Sequence, residues 1–418
     1  MSPTARTAAL VALLAGVALA LGPAVAGLLL AVLAGAVVFD AWAARRSVPE
    51  ARRDVPPVLA RGVAAPLRVA LGEADTGAGR TRVRQAAVPD VEVEPREAAG
   101  GLAAELRARR RGHHVLPPVA LRTAGPLGLA THDSAAAGEA ELRVYPDVYA
   151  ARRIALQVRQ GRFREQGTRA RGPLGLGTEF EAIRDYRPDD DVRHVNWRAT
   201  ARAERPMANT FRVEQDRDVV CLLDAGRLMA SPLGDRTRLD AALDAAAAVG
   251  LTADELGDRC GTVAFADELL RTIPPRRRGG EALVRGCHDL EPRGTDSDYA
   301  LAFRHVARMK RALVLVLTDL LDPAAARSLV AAAPLLARRH HVVVATATDP
   351  DVDAPLDRAP STLDDALRAA VALDVVQARE AAARAVRAAR AEVVSAQPDA
   401  LPSACVAAYL RAKARARL

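Results

Sequence analysis

The chain runs to 418 residues, half of them hydrophobic, which leaves room for two or three domains with sizeable cores and excludes a disordered protein. A formal charge of +8 suits acidic partners, yet Lys310 and Lys413 are the only lysines and arginine is spread along the whole chain. That spread argues for compositional bias and against a nucleic-acid surface. Cys221, Cys260, Cys287 and Cys405 show neither a close pair nor metal-ligand spacing, as expected of buried thiols in a reducing compartment.

Between Arg6 and Asp40 no charged residue interrupts 33 positions. One helix of that length would reach about 50 Å, against a hydrocarbon core of about 30 Å. Gly22-Pro23 falls mid-run, so residues 1–46 are expected to form a transmembrane hairpin of two short spans. Arg6 lies before it and Arg45, Arg46, Arg52 and Arg53 after it, which places the protein in the cell membrane as a multi-pass protein with its soluble domains in the cytoplasm. Ala24-Val25-Ala26 also fits a cleaved secretory signal, but Gly27 to Phe39 is a second apolar run and a poor start for a secreted chain.

Residues 47–150 alternate apolar and polar, as at Leu67, Val69 and Leu71, at Val91 and Val93, and at Leu142 and Val144, with Gly77-Ala78-Gly79 and Gly100-Gly101 as punctuation. This pattern predicts a small antiparallel β-sandwich. The basic run Arg107 to His114 is expected to be a solvated edge strand, with a lipid-headgroup or nucleic-acid patch as the alternative. Adjacent histidines on a strand face opposite ways, so neither His113-His114 nor His340-His341 is a chelating pair.

Residues 151–215 join the sandwich to a third region, residues 216–418, where strand and helix alternate. Val219 to Leu223, Thr262 to Phe265, Ala312 to Leu317 and Val342 to Ala345 read as buried parallel strands. Arg238 to Leu251, Tyr299 to Met309 and Ala324 to Ala337 read as amphipathic helices between them. The fold class is therefore multi-domain: a helical hairpin, a sandwich and a doubly wound α/β domain with C-terminal helices.

Ligands of such sheets sit at the carboxyl ends of the strands. There Asp224 and Asp319 close two strands, and Thr295 opens a loop between them in sequence. This constellation resembles the metal-ion-dependent adhesion site of von Willebrand factor A domains, which holds magnesium through an Asp-x-Ser-x-Ser loop, a threonine and a second aspartate. The two serine positions fall on Gly226 and Leu228, so two hydroxyl ligands are missing and tight magnesium binding is not expected. Asp224 and Asp319 are expected to cap helices or hold loops.

The densest polar stretch, residues 177–202, sets Asp189, Asp190 and Asp191 beside Arg193, His194, Asn196 and Trp197. No nucleophile, oxyanion hole or phosphate loop accompanies it, so neither enzymatic chemistry nor a cofactor is expected. A turn at Pro188-Asp189, ion pairs from Arg193 to Asp190 or Asp191, and Tyr186 and Trp197 packed beneath account for every residue type. The stretch resembles the domain of unknown function 58 family of bacterial membrane-anchored proteins through Glu179-Phe180, Arg184, Tyr186, Pro188 to Asp191, Arg193, Val195-Asn196-Trp197 and Ala201-Arg202. Arg111-Gly112, Gly125 to Leu129, Val144-Tyr145-Pro146, Tyr409-Leu410 and Lys413 extend the likeness, with Gly125 and Leu127 where the family more often has aspartate and phenylalanine.

The resemblance implies a von Willebrand A-like, non-enzymatic adaptor or scaffold that partners a MoxR-type AAA+ ATPase in assembling or maturing other proteins. Competing expectations are a metal-dependent, adhesion-type receptor and a hydrolase built on the aspartates.

Overall fold

The computed structural model describes residues 2–21, 23–72, 80–163, 179–187, 192, 195–212, 217–320 and 323–414. It divides into two compact units, Met1–Tyr145 and Pro146–Leu418.

The first unit opens with helices α1 (Ala5–Leu21) and α2 (Pro23–Arg46). Within it, Ala24–Arg46 is long and apolar enough to cross a membrane, whereas the apolar part of α1, Ala5–Gly16, is shorter. Near the end of α2, Phe39 and Trp42 are exposed, and the Arg46 guanidinium lies 4.2 Å from the centre of the Trp42 ring. Aromatic and basic side chains in that position suit a membrane–water interface.

Short strands follow and form three sheets. The first runs in the order Ser2–Pro3, Ala130–Ala136, Val119–Ala124, Thr81–Arg84, Glu97–Ala99. A second joins Ala51–Asp54, Ala64–Leu71, Leu102–Ala108 and Val91–Glu94, and a third Val58–Ala60, Ala140–Tyr145 and Gly112–Leu116. Apolar positions alternate inward, and Leu67, Val83, Leu106, Leu116, Leu121 and Leu142 meet in one core. One pair, Val58–Ala60 with Ala140–Tyr145, is parallel, so the unit is mixed and not wholly antiparallel.

The basic run is an edge strand only in part: Arg107 lies in the interior strand Leu102–Ala108, whereas Gly112 to His114 enter Gly112–Leu116, at the edge of its sheet. Arg109 and Arg110 turn between two strands, where they pair with Glu92 and Asp90, and Arg111 is buried.

Asp40 of α2 is fully buried, and its carboxylate accepts hydrogen bonds from the backbone N–H groups of Leu127 (2.6 Å), Leu129 (2.7 Å) and Ala130 (2.8 Å). A side chain at Gly125 would overlap that carboxylate and the Asp40 carbonyl oxygen. The same loop receives the Thr4 hydroxyl on Gly128 O (2.7 Å), and the Thr7 hydroxyl donates to Leu129 O.

The second unit begins with α3 (Val148–Arg159). An antiparallel ribbon, Glu179–Asp185 with Met207–Arg212, follows and carries α4 (Trp197–Ala203). A six-stranded sheet then forms from β1 (Asp218–Asp224), β2 (Arg259–Phe265), β3 (Leu269–Arg276), β4 (Ala312–Leu317), β5 (His341–Ala347) and β6 (Glu392–Ala396). Its order is 3-2-1-4-5-6, parallel except for β3. The four apolar runs of the sequence are β1, β2, β4 and β5, all inside and almost wholly buried. The unheralded β3 is a half-exposed edge strand, with Pro274 and Pro275 blunting it.

Helices α5 (Arg238–Glu255), α6 (Gly279–Cys287), α7 (Tyr299–Ala307), α8 (Pro323–Ala337), α9 (Pro350–Asp353), α10 (Leu363–Ala388) and α11 (Leu401–Ala414) complete the unit. The expected amphipathic character of Arg238 to Leu251 is corrected, because every residue from Arg238 to Ala253 is buried. Its alanines are small enough for α3, α6 and α11 to pack around it. The Thr237/Asp240 capping box starts it. Beyond its end, buried Asp258 accepts from the Tyr409 hydroxyl and from Lys413 Nζ (2.5 Å), which fastens α11. All four cysteines are buried free thiols, and burial pushes the Cys405 thiol well above its ordinary range.

Candidate functional site

Strand order reverses between β1 and β4, and that switch point is where an open α/β sheet offers a crevice. Asp224 ends β1 there, and Thr318 and Asp319 follow β4. All three are buried.

Asp224 is enclosed by donors. Its Oδ1 accepts from the Gly226 N–H (2.9 Å) and the Ser297 hydroxyl (2.5 Å). Oδ2 accepts from the Tyr299 hydroxyl (2.8 Å) and the Thr318 hydroxyl (2.6 Å), which themselves lie 2.8 Å apart. Four donors fill the sites a carboxylate has to offer. Burial, and then the Asp224 charge, raise the Tyr299 phenol well above its ordinary range, so it remains a neutral donor. A side chain at Gly226 would overlap Ser297 Oγ. The hydroxyl absent from the loop after β1 therefore arrives from the loop before α7.

Asp319 faces a cation the protein supplies. Arg238, at the first turn of α5, is 3.5 Å from Asp319 and 3.7 Å from Asp349, and it donates to Ala347 O at 3.0 Å. Thr295 turns elsewhere: its hydroxyl donates to Asp267 at 2.9 Å, and its carbonyl accepts from the Arg227 N–H at 2.8 Å. Asp224, Thr295 and Asp319 thus hold separate partners and do not assemble as one donor set. A saturated carboxylate beside a buried guanidinium does not fit a divalent ion. Among the described residues no group of three His, Cys, Asp or Glu side chains is placed to hold a metal. Ser297 and Tyr299 are the members that sequence reasoning missed. Their only signal was position, in the loop leading to a helix beside the switch point.

In the central stretch, Asp189, Asp190, Asp191, Arg193 and His194 lie outside the described residues. Asn196 caps α4, accepting from the Ala199 N–H at 2.9 Å, and donates to Asn209 at 2.8 Å. That bond ties the cap to the ribbon. Trp197 is 71% exposed, which corrects the expectation that it packs beneath the ion pairs. It opens a two-turn helix that buries none of its residues.

A family model, Protein of unknown function DUF58, matches residues 182–392, half of the chain. The chain belongs to this family. Relatives of this DUF58 protein include the uncharacterized proteins Mb1516 of Mycobacterium bovis and Rv1480 of Mycobacterium tuberculosis, each 26% identical over 188 residues. The match covers 43% of this chain and 58% of each relative, so the chain spans little more than half the length of those it matches. Among solved structures, a cohesin module from a Clostridium perfringens family 33 glycoside hydrolase aligns with 23% of this chain and 97% of that module, at 12% identity and a TM-score of 0.17. The DUF58 match takes in the switch point, Arg238 and the first residue of β6.

Proposed function

We propose that this DUF58 protein is a non-enzymatic, membrane-anchored adaptor or scaffold whose α/β unit engages a MoxR-type AAA+ ATPase in the assembly or maturation of other proteins. The observation that carries this proposal is the closure of the switch point. The cavity beside Arg238 and Thr318 is about 10 Å³, room for one water, where ligand sites need hundreds. With the crevice filled by the protein's own hydroxyls and guanidinium, function falls to surfaces. Strand order and the two aspartates at the switch point support a von Willebrand A-like class for the unit.

A multi-pass anchor is supported by what the apolar run joins. Ser2 and Pro3 pair with Thr131 and Ala130, and Asp40 binds the N–H groups of Leu127, Leu129 and Ala130. The start of α1 and the end of α2 thereby meet one loop, which supports a chain that goes out and returns between them. Such a hairpin leaves both units on the side of the arginines, the cytoplasm. Because the native thiols are buried, a single cysteine at exposed Ala359 reports topology. Labelling by an impermeant maleimide only after lysis is expected, and labelling of intact cells overturns this placement.

For the adaptor role, the full chain in detergent is mixed with the purified ATPase, with and without ATP. Co-elution at micromolar concentration is expected, and separate elution in both states sinks the partnership. The alternative, a metal-dependent receptor, predicts magnesium binding in calorimetry that disappears in Asp224→Ala. The filled valences of Asp224 count against it.

A further inference from the structure

α10 ends inside the core and begins outside it. Its second half buries Ala382, Ala383 and Val386, whereas Leu363, Leu367 and Val371 on the first half are 78%, 58% and 64% exposed. A spacing of four sets these three on one face as a continuous apolar stripe. The stripe borders a groove of about 370 Å³ lined by Val352, Pro355, Leu367, Val371 and Val375. An apolar surface of this kind on a solvated helix marks an interaction site.

Charge selects the occupant. Seven aspartates and two arginines lie from Asp349 to Asp374, in a chain whose net charge is +8. Part of this charge is used internally: Asp353 meets Arg379 at 3.5 Å, Asp364 meets Arg368 at 2.8 Å, and Asp365 closes the capping box of α10. Asp351, Asp357 and Asp374 have no ion-pair partner among the described residues. Unpaired carboxylates beside an apolar groove complement a helix whose apolar face is flanked by lysine or arginine. They repel an anionic bilayer surface, which excludes lipid as the occupant.

We propose that this groove seats a basic amphipathic helix of a partner protein. Taken with the adaptor role above, on which this identification of the partner rests, the helix belongs to the AAA+ ATPase.

The test places the photo-crosslinking residue p-benzoylphenylalanine at Val371 of the full chain in its native membrane and identifies the adduct by mass spectrometry. The expected adduct is a helical segment carrying at least two basic residues beside its apolar face. Its yield is expected to fall about tenfold when Asp351, Asp357 and Asp374 are changed to Asn. Adducts to lipid, to a second copy of this chain or to an acidic segment overturn the proposal, as does no adduct at all or a yield indifferent to the Asn changes. If the adduct lies in a basic helix of another protein, the groove proposal stands and the ATPase loses its place in the adaptor role. Conversely, if the ATPase co-elutes with the full chain but is not found at Val371, the adaptor role stands and the groove proposal falls. Leu367 is exposed, so Leu367→Glu is expected to abolish the adduct while leaving the melting temperature unchanged.

Discussion

Gly125 in the first unit and Gly226 in the second stand where the resembled patterns carry aspartate and serine, and at each the absent group arrives from a distant part of the chain. At Gly125 it is the carboxylate of Asp40, held by three backbone N–H groups. At Gly226 it is the hydroxyl of Ser297, aimed at Asp224. The two replacements differ in stiffness. A side chain at Gly125 would overlap the Asp40 carbonyl oxygen, part of a helix backbone, as well as its carboxylate. One at Gly226 would overlap only a hydroxyl on a rotatable bond, the nearest backbone atom being Thr295 O at 3.1 Å. The first fixes how α2 meets the loop before Ala130–Ala136, whereas the second closes a crevice and has room to adjust.

The largest expected effect follows from that stiffness. Gly125→Ala forces α2 away from the loop and strips a buried carboxylate of its donors, at a cost of about 3 kcal/mol or more. Thermal melting of the full chain in detergent should show the loss, and limited proteolysis should open the chain between residues 125 and 130. An unchanged melt would mean that the Asp40 clasp is soft and the contrast with Gly226 is lost. Asp40→Asn is next: the amide keeps one acceptor oxygen but gives up the charge-assisted bonds, for a loss of about 2 kcal/mol. It should sensitise the same loop to protease more weakly.

How much of this was legible follows from the physics of each feature. Strands buried on both faces announce themselves as unbroken apolar runs, so β1, β2, β4 and β5 were readable. The alternation in the strands of the first unit was readable for the matching reason. α5 misled because alanine is compatible with any face, so its periodicity carried no information on how many neighbours surround it. Asp40 resembled only the end of an apolar run, since nothing local tells a helix carboxylate that it will meet a loop nearly ninety residues on. The candidate site was half visible: Asp224 and Asp319 by their place at strand ends, but not Arg238, Ser297 or Tyr299, whose roles exist only once the sheet brings their loops together. Trp197 was misjudged because an aromatic among charges suggests packing, and here it begins a helix too short to bury it.

Gly226→Ala tests the softer side of the comparison. Ser297 can swing away, so the cost is about 1 to 2 kcal/mol, mainly the lost hydroxyl bond to Asp224. Returning the hydroxyl to the loop in Gly226→Ser combined with Ser297→Gly should restore part of that stability in a double-mutant cycle. Purely additive losses would show that the hydroxyl's origin, and not only its position, matters to the cage.

Tyr299→Phe is the mildest change at neutral pH. It removes one of four donors to Asp224 and leaves the ring between Phe265 and Phe303, whose centroids lie 5.6 and 6.2 Å away, so about 1 kcal/mol should be lost. At high pH the difference shrinks. Burial and the Asp224 charge raise the folded-state phenol above its unfolded value near 10. Tyr299 thus favours the folded state fully below pH of about 10, and that contribution falls as the unfolded chain ionises with rising pH. Tyr409, raised by burial and by Asp258, behaves alike and keeps an alkaline limb in the variant. Tyr299→Phe should therefore melt slightly below the parent at pH 7, with a smaller loss of stability above pH 10, and the two melting curves should converge or cross. If they stay parallel through that range, Tyr299 is not held neutral by the cage and the switch point is more open to water than its cavity implies.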